Sequence, residues 1–131
     1  MIHVRLAGGL GNQIFQLLAA VSVRNFDEPI ILYIDFLKDY ETPRNFMLDH
    51  VFNLQHLGVA VSKDRPLLMS SRLSKLGMGK LISDRNFRAG NRPKSSDVYL
   101  DGYFQKKWSS KLIELYCKEL ISCCKLEPIL S

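Results

Sequence analysis

The chain has 131 residues, 47% of them hydrophobic and 24% charged, with a formal net charge of +5. That is the balance of one compact domain with its own core, and it excludes disordered, collagenous and low-complexity classes. No apolar run approaches the roughly 18–20 residues of a membrane span.

The opening Met1-Ile2-His3-Val4-Arg5 reads as the start of a strand, without the basic and apolar regions of a secretory signal. Ile2 to Leu6 forms a short buried strand, followed at once by Ala7-Gly8-Gly9-Leu10-Gly11-Asn12. Gln13 to Arg24 is apolar nearly all round, as expected of a helix packed on a sheet, with Gly11 or Asn12 as N-cap. Pro29 ends that helix, and Ile30-Ile31-Leu32-Tyr33-Ile34 makes a second buried strand closing at Asp35. Strand, glycine turn, helix and strand predict a right-handed βαβ unit with a parallel pair.

After a polar loop at 38–44, Phe46 to Leu54 is predicted as a short helix and Gly58 to Val61 as a third strand. Pro66 to Ile82 is predicted helical with interruptions at Gly77 and Gly79, and Asp84 to Ser96 as an irregular, mobile loop. Val98 to Leu100 is a fourth strand, turned by Asp101-Gly102. Ser109 or Ser110 caps a final helix whose inner face is marked by Leu112, Ile113, Tyr116, Leu120, Ile121 and Cys124. The whole predicts a single α/β domain over 1–131, a Rossmann-like parallel sheet flanked by helices.

The charge is local. Between Lys63 and Lys94 nine basic residues face two acidic ones, so that stretch carries +7 and the rest of the chain −2. A solvated face is the default reading of this basic segment (63–96), contact with an anionic membrane surface the next, and nucleic acid, for want of a motif or interleaved aromatics, the last. Cys117, Cys123 and Cys124 are odd in number and lack Cys-x-x-Cys spacing, which points to reduced thiols and a cytoplasmic setting. His3, His50 and His56 share no metal-ligand spacing. Arg5, inside the first strand, is expected to make a structural ion pair or hydrogen bond, with contact to a donor substrate the lesser alternative. Tyr99, Tyr103, Phe104 and Trp108 could stack on a sugar or pack in the core.

The glycine turn carries the clearest chemistry. Glycines between a buried strand and a buried helix bring the backbone to a ligand with no Cβ in the way, and the helix N-terminus behind them offers unpaired N–H groups and a positive dipole end. Gly9-x-Gly11 followed by Asp35 imitates a dinucleotide fingerprint, so a dinucleotide-binding domain of an oxidoreductase is one alternative, and a non-catalytic binding module another. Ile14, however, stands where that fingerprint needs its third glycine. The amides of Asn12 and Gln13 suit hydroxyls and phosphate oxygens together, as in a sugar nucleotide.

Three stretches resemble bacterial α-1,2-fucosyltransferases, glycosyltransferase family 11. They are Val4-Arg5-Leu6-Ala7-Gly8-Gly9-Leu10-Gly11-Asn12-Gln13-Ile14-Phe15-Gln16, Pro43-Arg44-Asn45-Phe46-Met47-Leu48 and Val98-Tyr99-Leu100-Asp101-Gly102-Tyr103-Phe104-Gln105. The resemblance implies a GT-B arrangement of two Rossmann-like domains and inverting, metal-independent transfer of L-fucose from GDP-fucose, with no cofactor, to an acceptor glycan. It makes Gly8, Gly9, Gly11, Asn12 and Gln13 the expected substrate-binding positions. Asp35 and Asp101, at strand ends, are the candidates for a base. The family's His-x-Arg-Arg-Gly-Asp-Tyr donor element is not found here. The chain is therefore expected to be the N-terminal, acceptor-side part, without a C-terminal donor domain and inactive alone.

Overall fold

The computed structural model describes residues 1–39, 45–64 and 79–125. Five strands, β1 (Ile2–Arg5), β2 (Ile30–Tyr33), β3 (Val59–Ser62), β4 (Lys80–Ile82) and β5 (Val98–Leu100), form one all-parallel sheet in the order β3-β2-β1-β5-β4. Helices α1 (Leu10–Val23), α2 (Leu48–Val51) and α3 (Ser110–Ser122) flank it, making a Rossmann-like α/β fold.

Period-two alternation places the core. Ile2 and Val4 of β1 are fully buried while His3 and Arg5 face the other way, and Ile30 and Leu32 of β2 repeat the pattern in register. Onto this face packs α1, whose Leu17, Leu18, Ala19, Ala20, Val21 and Val23 are all buried. Two alanines in its middle permit close approach to the sheet. Each large aliphatic side chain taken from water contributes roughly 1.5–3 kcal/mol. In β5, Val98, Tyr99 and Leu100 are all buried, so the sheet is covered on both faces at its centre, as parallel sheets require.

On the second face His3 is stacked between Tyr99, its register partner, at 4.3 Å and Tyr33 at 5.8 Å. Its Nδ1 lies 2.7 Å from the Tyr33 hydroxyl and its Nε2 3.2 Å from Asp97. The carboxylate can only accept, which assigns the ring proton to Nε2 and makes Tyr33 the donor to Nδ1.

Several boundaries differ from the sequence expectation. Helix α1 begins at Leu10 with Gly9 as N-cap, so Gly11 and Asn12 lie within its first turn. Helix α2 is a single turn rather than the whole of Phe46–Leu54. The helical pattern extended to Ile82 ends instead in β4, because Lys80-Leu81-Ile82 is too short for periodicity to separate strand from helix; residues 65–78 lie outside the described residues. Ser109 caps α3, its Oγ accepting the Leu112 N–H at 3.1 Å. Ile121, however, is 68% exposed, and Cys124 lies beyond the helix, bridged to Phe52; Cys117 packs on the core in their stead. The connection from β4 to β5 is irregular as expected but well tied. Arg92 pairs with Glu28 and donates to the carbonyls of Pro93 at 3.2 Å and Ser95 at 2.8 Å.

Candidate substrate-binding crevice

From β1 the chain runs through β2 to β3 on one side, whereas β5 and β4 lie on the other. The carboxyl ends of β1 and β5 are therefore the switch point, the place where open α/β sheets bind ligands. Two turns meet there: the glycine turn into α1, and the Asp101-Gly102 turn after β5.

In the first turn the Ala7 N–H is held at 2.9 Å by the buried side-chain oxygen of Gln16. Gly8 takes φ +77°, and a Cβ there would stand 2.3 Å from Nδ2 of Asn12, so glycine is required. Gly9 and Gly11 differ: among the described residues nothing lies within 4 Å of a Cβ built at either, and no side chain caps the helix start. The first turn of α1 thus presents its backbone, with its positive dipole end, to open space.

Asn12 and Gln13 part company. Gln13 is fully buried; its Nε2 donates to the carbonyls of Gly8 at 3.0 Å and Asn45 at 2.9 Å, and its Oε1 accepts the Met47 N–H at 3.1 Å. Both amide protons are spent inside the protein, so Gln13 braces the turn rather than facing a ligand. Asn12, half-buried, accepts from the amide of Gln105. Through these bonds the first of the three stretches singled out in the sequence is joined to the other two. Pro43 and Arg44 of the second stretch lie outside the described residues.

Beside this turn is a cavity of about 340 Å³ lined by Arg5, Ala7, Phe36, Asp84, Asp101, Gly102 and Tyr103. Arg5 makes the expected ion pair: its Nη1 donates to Asp101 at 3.0 Å, while its guanidinium lies 4.7 Å over the Phe36 ring. Asp84 comes from the β4–β5 connection and accepts the N–H groups of Tyr103 at 3.1 Å and Phe104 at 2.6 Å. Gly102 is needed for this approach, since a Cβ would sit 2.9 Å from Asp84 Oδ2. The two carboxylates thereby share one cavity, one steadied by a guanidinium and the other by backbone amides.

Asp35 is not in this cavity. It begins the 3₁₀ turn Asp35–Asp39, pairs with Lys38 at 2.8 Å and lines a separate cavity with Asn45, Phe46 and Lys63, so the structure does not bring the two base candidates together. The aromatic platform dissolves as well. Tyr99 and Phe104 are 2% and 1% exposed, and Trp108 packs on Phe87 while donating to the Phe104 carbonyl at 2.7 Å; only Tyr103 of the four lines the cavity. Asp84 and Phe36 carried no sequence signal, because Asp84 reaches the crevice from the irregular β4–β5 connection and Phe36 from the short 3₁₀ turn after β2. Gln16 did carry one, being a polar residue inside an apolar helix, and its Nε2 has no hydrogen-bond partner among the described residues.

Among the described residues no three His, Cys, Asp or Glu side chains cluster to hold a metal ion, and no helix is long and apolar enough to cross a membrane. No family model, curated protein or solved structure matches this chain.

Proposed function

We propose that the chain is the acceptor-side, N-terminal domain of a GT-B glycosyltransferase that moves L-fucose from GDP-fucose to a glycan hydroxyl with inversion. The observation that supports this reading is the convergence of the three family-like stretches on the N-terminus of α1, beside the switch-point cavity. In the proposed reaction the acceptor oxygen bonds to the anomeric carbon as the bond to the GDP oxygen breaks, and the hydroxyl proton passes to a base. Negative charge grows on the departing phosphate, where the open N–H groups around Gly9 and Gly11 and the Nδ2 of Asn12 are suited to meet it. Asp101 is the carboxylate of the original pair that lies in the cavity, and it is the base candidate retained here, with Arg5 orienting it. The donor-binding half would have to come from a second domain.

The test is a titration of the isotope-labelled chain with GDP-fucose and, separately, with NADH. GDP-fucose should shift the backbone amides of Gly9, Gly11 and Asn12, and NADH should leave them in place. A response to NADH alone would assign the turn to a dinucleotide instead.

A further inference from the structure

Residues of the basic segment line a cavity of about 300 Å³ that shares no residue with the crevice beside Arg5. Lys80, Arg88 and Arg92 meet there with Asn86 and Asn91, and among the described residues no carboxylate lines it. Local structure explains the convergence. Lys80 and Ile82 are two apart on β4, the edge strand, and so face the same side of the sheet. The chain then folds back through two successive turns. In the first, the Phe87 N–H donates to the Ser83 carbonyl at 3.0 Å and Asn86 Oδ1 accepts the Ser83 N–H at 2.7 Å. In the second, the Asn91 N–H donates to the Arg88 carbonyl at 3.0 Å, with Gly90 at φ 78°. Phe87, 1% exposed and packed on Phe104 and Trp108, anchors the junction. Arg88 and Asn91, the two ends of the second turn, are thereby held at the same cavity as Lys80.

The three cations are not equivalent. Arg92 is spent on Glu28 and on the carbonyls of Pro93 and Ser95, so it shapes the wall and its charge is offset. Arg88 gives one N–H to the Phe87 carbonyl at 2.9 Å and keeps the rest of its fork. Among the described residues the Lys80 ammonium and the Asn91 side-chain amide have no hydrogen-bond partner. Two uncompensated cations and an amide therefore share one small cavity, and their complement is a compact dianion rich in acceptor oxygens. A terminal phosphate carries about −1.5 to −2 charges at pH 7 and is such a group. A carboxylate or a phosphodiester brings only about one charge and leaves a cation unmatched. Arginine grips phosphate oxygens bidentately and lysine adds a point charge, a division of labour that Arg88 and Lys80 can supply.

We infer that this cavity at the edge strand binds the terminal phosphate of a phosphate monoester through Lys80, Arg88 and Asn91. The site goes beyond the glycosyl-transfer reading and does not depend on it. The same phosphate group ends a soluble sugar phosphate and the headgroup of phosphatidic acid.

The full 131-residue chain, isotope-labelled, is titrated at about pH 7.5, where a monoester is doubly ionised, with glucose 6-phosphate, with methyl glucoside and with a short oligothymidylate lacking terminal phosphates. Its capture by phosphatidylcholine vesicles containing phosphatidic acid, or the diester phosphatidylglycerol, is followed by sedimentation. A soluble ligand is supported when glucose 6-phosphate shifts the amides of Arg88, Gly90 and Asn91 to saturation and methyl glucoside does not. A lipid ligand is supported when phosphatidic acid vesicles capture the chain and phosphatidylglycerol vesicles do not. Arg88→Gln and Lys80→Gln, both at exposed positions, should each weaken the binding about tenfold, the worth of a hydrogen bond to a charged group. Lys111→Gln removes an equal charge from α3 and should leave the binding unchanged. Silence toward both monoesters, an equal loss in Lys111→Gln, or tighter binding of oligothymidylate or phosphatidylglycerol than of the monoesters would each overturn the inference. Shifts at Gly9 and Gly11 without any at Arg88 and Asn91 would also overturn it, while leaving the donor reading in place.

Discussion

The side-chain oxygen of Gln13 accepts the backbone N–H of Met47 at 3.1 Å, tying the first turn of α1 to a segment 34 residues away. Its nitrogen closes the same bracket on the carbonyls of Gly8 and Asn45. One fully buried amide therefore sets the shape of the glycine turn and seats the stretch that leads into α2.

Gln13→Ala is expected to lower stability by about 1–3 kcal/mol, because it removes the partner of the Met47 N–H and of the Gly8 and Asn45 carbonyls, the Gly8 carbonyl being buried. Gln13→Glu should do no better, since a carboxylate cannot donate to the Gly8 and Asn45 carbonyls. Urea denaturation of both variants checks this. Near-native stability of either would show that the bracket is dispensable.

The glycines of the turn should separate by role. Gly8→Ala meets both a positive φ and Asn12, and is expected to cost about 1–2 kcal/mol. Gly11→Ala enters open space in a helix and should instead raise stability by about 0.5–1 kcal/mol. The same Gly11→Ala change should weaken GDP-fucose binding if the open backbone is a ligand seat. A variant both more stable and binding as before would assign Gly11 no role in the donor site.

Asp84→Ala removes the acceptor of two consecutive amides, beside Phe104 at φ 57°. A loss of about 1–2 kcal/mol is expected. Faster hydrogen exchange at Tyr103 and Phe104, with α1 unchanged, is the specific signature.

Ser109→Ala leaves the Leu112 N–H without its cap and should cost about 1 kcal/mol, with Ser109→Asp restoring it. Thermal unfolding of the two variants measures the difference.

Stability should fall on mild acidification. Burial pushes the His3 imidazole below its ordinary value of 6.5, outweighing the hydrogen bond and charge of Asp97, which act the other way; the Met1 ammonium adds to the lowering. Above 6.5 the ring is neutral in both folded and unfolded chains, and this contribution is fully present. As the pH drops below 6.5 the unfolded chain takes up a proton that the folded one refuses, so stability declines until the lower folded value is passed. Denaturation midpoints between about pH 8 and pH 5 should show the decline, and His3→Gln should flatten it.

Local pattern was enough for much of this protein. Ile2 to Leu6 and Ile30 to Ile34 are short, largely apolar runs as buried strands of a parallel sheet must be, the apolar run behind the glycine turn could only be a packed helix, and Ser109 or Ser110 announced the start of α3. Those features depend on residues a few positions apart, whose spacing is itself the physical signal. The Arg5 ion pair was anticipated as a kind of contact, but its partner was not. Asp101 is 96 residues away, and only the insertion of β5 beside β1 brings it there. Gln13 turned inward and Asp84 reached the crevice for the same reason: a side chain's partners are set by which distant backbone groups the sheet order places within hydrogen-bond reach. Tyr99 and Phe104, eligible by sequence for a sugar platform, went to the core because strand and loop packing left them no surface.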